Sequence, residues 1–220
     1  MRTLASGFLH NKMAEDPPVI RETENQAQII NNLALLLARG RAVIRTKKVE
    51  YEKDNQVRNY YETEEVQIEE PFRATLQLRT LARALAWIHG RKHITDHDLE
   101  LLRRVVLSTM PVDRAEVLSL FQKPKCLSLE RALTRTICAA GIGKSRNRAN
   151  QLLTELVRVE ILQEEQTVGG SQEKVYKPLP LLAEAICRPV QPLDHILDCD
   201  IGQTSHFSTG TTHGVGNPPT

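Results

Sequence analysis

Apolar residues recur at helical spacing along much of the chain. Ile30, Leu33, Ala34 and Leu37 form one stripe. Thr23-Glu-Asn-Gln26 ahead of it fits a capping box, in which polar side chains three residues apart satisfy free amides of the first turn. This spacing predicts a helix over 24–39, with Gly40 suited to the C-terminal cap. Leu78, Leu81, Leu85 and Ile88 predict a long helix over 72–89, introduced by Pro71 and ended by Gly90. A further helix carries Leu99, Leu102 and Val106. Thr95 caps it, and Asp96 and Asp98 sit in its first turn, where the positive end of the helix dipole favours acids. Pro111 stops it. Residues 41–70 look extended instead: Arg41-Ala-Val-Ile-Arg-Thr-Lys47, a polar reversal at Asp54-Asn55, then Glu65-Val-Gln-Ile-Glu69. A β-hairpin arm or an ordered loop is expected there.

From 111 the pattern changes again. A helix-promoting stretch, Val112 to Phe121, is followed by a second, Ser128 to Ala140, and by the punctuation Gly141-Ile-Gly-Lys144. A third helix opens at Ser145. Two β-type runs follow, 161–165 and 173–177, around Gly169-Gly170-Ser171. Helix, helix, turn, helix, hairpin predicts a winged helix-turn-helix over 111–186. In its third helix Ala149, Leu152, Leu153 and Leu156 share the inward side, while Asn147, Asn150, Gln151, Thr154 and Arg158 share the other. Arg146 and Arg148 lie in the first turn. Such a helix presents its N-terminal residues to the major groove, where Asn and Gln pair with adenine and Arg with guanine. The candidate DNA contacts are Lys144, Ser145, Arg146, Asn147, Arg148, Asn150 and Gln151, with Lys174 on the wing as a phosphate contact. The competing readings are an ordinary solvated face or a protein-docking module. Glu164, Glu165 and Glu173 weigh against tight contact between the wing and phosphate.

Composition narrows these readings. With 40% hydrophobic but only 4% aromatic residues the core must be aliphatic, which favours a mainly α fold. The formal net charge is +2, so any nucleic-acid surface is a local patch. Cys126, Cys138, Cys187 and Cys199 form no CxxC pair, and no secretory leader is evident; reduced thiols and a cytoplasmic location are expected. No run approaches the ~20 apolar residues of a membrane span. Residues 1–18 read as a leader or linker, and 187–220, dominated by Gly, Thr, Pro and Ser, as a disordered tail. His89, His93 and His97 recur every four residues, but Gly90 breaks the helix that would align them, so no metal is expected.

The segment Glu70-Pro-Phe-Arg-Ala-Thr-Leu-Gln-Leu-Arg-Thr-Leu-Ala-Arg-Ala-Leu-Ala-Trp-Ile-His-Gly90, followed by Ile94-Thr-Asp-His-Asp-Leu99, resembles the C-terminal helical lid of bacterial AAA+ ATPases. The likeness rests on a Pro-x-Arg helix start, a Leu-Ala-x-Ala-Leu-Ala helix and a Thr-x-x-Asp-Leu helix in that order. Asn32 to Ile44 is similar to the lid's opening helix, and several such ATPases carry a winged helix directly after the lid. The resemblance spans about 24–178 and implies two domains, a lid with an arm over 19–110 and the winged helix over 111–186. It also implies that Arg73 matches the sensor-2 arginine, whose fork reaches the γ-phosphate of ATP. The family's P-loop is missing. Its lysine and amides must follow a strand, whereas Gly141-Ile-Gly-Lys-Ser145 follows a helical pattern and has Cys138 where the first glycine belongs. Those residues read as the turn and N-cap of the helix-turn-helix. The chain is thus expected to be no enzyme by itself: a lid and winged helix without a nucleotide-binding core, as in a truncated reading frame. It needs no cofactor, with ATP relevant only if a core is supplied elsewhere. Its expected partners are double-stranded DNA, an AAA+ core, or further copies of itself. The alternative is a module that docks onto an ATPase without touching DNA.

Overall fold

Thr23 and Gln26 close the start of the first helix as the capping box requires. The Thr23 amide donates to Gln26 Oε1 at 2.9 Å, and the Gln26 amide to Thr23 Oγ1 at 3.3 Å. In the computed structural model this helix, α1 (Glu24–Gly40), leads into a hairpin of β1 (Val43–Lys53) and β2 (Gln56–Gln67). Then come α2 (Pro71–Ile88), α3 (Asp96–Ser108) and α4 (Val112–Leu120). A short strand β3 (Leu133–Thr134), α5 (Arg135–Ile142), α6 (Arg146–Arg158), β4 (Leu162–Gln166), β5 (Lys174–Pro178) and α7 (Pro180–Cys187) complete the order. The structure describes residues 19–53, 56–123, 131–166 and 174–187, without the side chains of 51–53 and 56–61. All of them fall within one compact unit that ends at Val190. The expectations for 1–18, the Asp54-Asn55 reversal, the start of the second helix at Ser128, the Gly169-Gly170-Ser171 turn and the tail beyond 187 lie outside the described residues.

The chain is mainly helical, with small antiparallel sheets. Helix α1 is the hub: it packs against α2, α3 and α7, and its buried side holds Ile30, Leu33, Ala34, Leu36 and Leu37. The hydrophobic cluster is continuous from α1 to α7 and takes in Leu78, Leu102, Val117, Phe121, Leu153, Leu156 and Tyr176. The extended arm is a two-stranded ribbon. Its register shifts between Arg45 and Thr46, so Glu64 has no partner residue opposite it. The second small sheet has the order β3-β5-β4, antiparallel throughout, with Tyr176 between Leu133 and Glu164.

Two sequence expectations change. Helix α5 begins at Arg135, because Leu133 and Thr134 are taken into the sheet by β5, and the Thr134 hydroxyl then caps the helix by accepting from the Ile137 amide. Gly40 does not form a left-handed cap. The helix ends on Arg41 in a right-handed conformation, and Gly40 is buried where a Cβ would stand 2.6 Å from the Met110 side chain. Its smallness, rather than its flexibility, is what the site uses.

At Gly143 the opposite holds. Its φ of 65° closes α5 in the left-handed region, and a Cβ there would meet nothing within 4 Å. Gly143→Ala therefore carries only the backbone penalty, about 1 kcal/mol. A drop in thermal midpoint of roughly 2–4 °C, without loss of helix content, is the expected result.

Candidate nucleic-acid interface

The turn and the start of α6 are built from local chemistry. Gly143 reverses the chain, Lys144 donates its amide to the Ala139 carbonyl, and Ser145 caps α6 by accepting from the Arg148 amide at 3.3 Å. The inward face of α6 is fully buried at Ala149, Leu152, Leu153 and Leu156. On the other side Arg146, Asn147 and Gln151 are exposed and Asn150 half-buried, so the sequence-predicted stripe forms one surface. Gln151 is tied within the helix, donating to Glu155 at 3.1 Å. Arg146 has no side-chain partner among the described residues.

The flanking cations are not free. Lys144 and Arg148, one helical turn apart, converge on the carboxylate of Asp113 in the first turn of α4, and Lys144 also lies 3.5 Å from Glu116. Hydrogen bonds from Lys144 and then Arg148 hold the Asp113 carboxyl below its usual range, and Asp113 raises Lys144 in turn. On the hairpin, Lys174 pairs with Glu164 at 2.7 Å and Lys177 with Glu165 at 2.8 Å. The Lys174 ammonium is pushed up by its hydrogen bond to Glu164. Sequence reasoning missed Asp113 and Glu116. They sit about thirty residues upstream of the cations they neutralise, and no spacing rule links them.

The far end of α6 is fastened to the rest of the molecule. Arg158 donates to Thr63 Oγ1 on β2, and Arg39 at the end of α1 donates to the Glu160 carbonyl at 2.8 Å and pairs with its carboxylate at 2.6 Å. The buried Arg114 of α4 donates to the carbonyls of Gly40 and Ala42, at 3.1 and 2.7 Å, and lies 3.5 Å from Glu155 of α6. One guanidinium thus holds the root of the arm, the end of α1 and the flank of α6 in register.

Arg73 stands in the first turn of α2, exposed and without an ion-pair partner among the described residues. Three exposed apolar side chains surround it in sequence, Ile68, Phe72 and Leu76, with Phe72 69% exposed. The helix that follows is anchored differently. Asp98, wholly buried, accepts from both terminal nitrogens of Arg91 at 3.0 Å, from the Thr95 amide at 2.8 Å and from the Thr95 hydroxyl at 2.9 Å. Residues 66–109 match the family model of the AAA lid domain. The match begins at the end of β2 and covers α2 and α3. It supports an AAA+-type lid region in this chain, over a range that includes Arg73, Thr95 and Asp98. No curated protein and no solved structure matches the chain.

His89 and His97 meet edge to face with ring centroids 6.2 Å apart. Among the described residues no three ligating side chains gather into a metal-binding group, and no helix is long and apolar enough to cross a membrane. Cys138 and Cys187 are free and buried, and burial pushes the Cys138 thiol up to about 11.

Proposed function

We propose that this chain is the lid-bearing C-terminal portion of a cytoplasmic AAA+ ATPase, and that residues 111–186 form a winged helix-turn-helix that binds double-stranded DNA. The observation that carries the DNA reading is the surface of α6. Arg146, Asn147, Asn150 and Gln151 form one polar stripe at the start of a helix whose opposite face is fully buried. Arg, Asn and Gln are the side chains that read purine edges in the major groove. The order α4, β3, α5, α6, β4, β5 with a β3-β5-β4 sheet supports the winged arrangement. No P-loop motif occurs among these residues, so nucleotide chemistry would belong to a core outside them, and Arg73 would act on ATP only beside such a core.

Docking onto a protein is the alternative function. The wing cations Lys174 and Lys177 are already paired with Glu164 and Glu165, which suits docking onto a protein better than contact with phosphate. Fluorescence anisotropy of a labelled random duplex, titrated with the chain across a salt series, separates the two. DNA binding is expected to weaken steeply with salt, because each neutralised phosphate releases counterions. No binding at low salt would overturn the DNA reading and leave protein docking.

A further inference from the structure

Resting on the DNA reading, we infer that the Asp113 carboxylate is an internal stand-in for a backbone phosphate, which competes with a duplex for Lys144 and Arg148, while Glu116 keeps a longer contact of 3.5 Å to Lys144. Two cations, one from the turn and one from the first turn of α6, converge on this one carboxylate. Two positive groups gathered on a single oxygen anion are the arrangement that recognises a phosphate. All three side chains keep about a third of their surface in water, 30% for Asp113, 31% for Lys144 and 39% for Arg148, so an external anion can reach the cations without unfolding anything. Asp113 comes from α4 rather than from α6, and the cap at Ser145 and the buried face of α6 do not depend on it. Losing the contact therefore leaves the helix in place.

The consequence is a filter. A phosphate that displaces Asp113 leaves a carboxylate close to the phosphodiester chain, which opposes indiscriminate binding. Contacts from Arg146 and Asn147 to base edges must then supply what the phosphate contacts do not. Asp113 serves specificity by repelling the ligand that the neighbouring cations attract.

The test is Asp113→Asn, compared with wild type and with Asp113→Asn/Lys144→Gln/Arg148→Gln, on a random duplex across a salt series. Circular dichroism melts confirm that each variant is folded. Asp113→Asn is expected to bind about three- to tenfold tighter at low salt. Its logarithmic salt slope should steepen by roughly 0.9 for each phosphate taken up, and the triple variant should lose the gain. Equal or weaker binding by folded Asp113→Asn overturns the inference, as does a gain that survives in the triple variant. Failure of the DNA reading looks different: wild type and all variants would then be silent on DNA, and the inference would fall with it.

Discussion

Asp98→Ala is expected to lower the stability of the chain by about 3–5 kcal/mol, the cost of leaving a buried charge without its partner. For a chain of this size that is a fall in thermal midpoint of roughly 6–20 °C. The Asp98 side chain is wholly out of water, and four donated hydrogen bonds end on it: two from Arg91 and two from Thr95. Alanine leaves the Arg91 guanidinium, 18% exposed, with its hydrogen bond to the Thr95 hydroxyl but without its counter-charge, and it frees the Thr95 amide at the head of α3. Trp87, the single tryptophan, lies on neighbouring α2 and reports the transition by fluorescence. Arg91→Met in the Asp98→Ala background should recover much of the loss, since an ion pair removed whole costs far less than one partner removed alone. Additive losses from the two substitutions would sink this account and assign the effect to packing.

Thr95 as a cap and Asp98 in the first turn follow from local rules, because both act within one turn of α3. The partner Arg91 does not follow, since it precedes the helix in an irregular segment where spacing carries no information. The same division runs through the fold. Capping at Thr23, the hairpin arm, the turn at Gly143 with its cap at Ser145, and the inward face of α6 are local consequences of periodicity and side-chain chemistry. The expected second helix does not run through Leu133 and Thr134, because they are claimed by a strand some forty residues later. Gly40 was misread for a similar reason: the Met110 that crowds it arrives seventy residues downstream. In the candidate interface, the identity of the exposed residues was legible and their electrostatic state was not. Lys144, Arg148, Lys174 and Lys177 count as cations in a sequence, yet each meets a carboxylate in the fold.

This difference sets the outcome of the most direct functional substitution. On the proposed DNA reading, Arg146→Ala/Asn147→Ala is expected to weaken duplex binding by tenfold or more, because a bidentate base contact would contribute about 1–3 kcal/mol. Both side chains are exposed on α6, and Arg146 has no partner among the described residues to release first. Neither contributes to the buried face, so the melting transition should hardly move. Lys174→Ala/Lys177→Ala is the informative contrast. Those two cations already pair with Glu164 and Glu165, so losing them should change affinity less than about threefold. Anisotropy titrations at one low salt concentration, run on both double variants, decide the matter. If the wing variant lost as much as the α6 variant, the paired lysines would have to exchange their glutamates for phosphate, and the reading of α6 as the principal contact would be wrong. If the α6 variant bound as wild type does, the polar stripe would be an ordinary solvated face, and α6 would have no part in holding DNA.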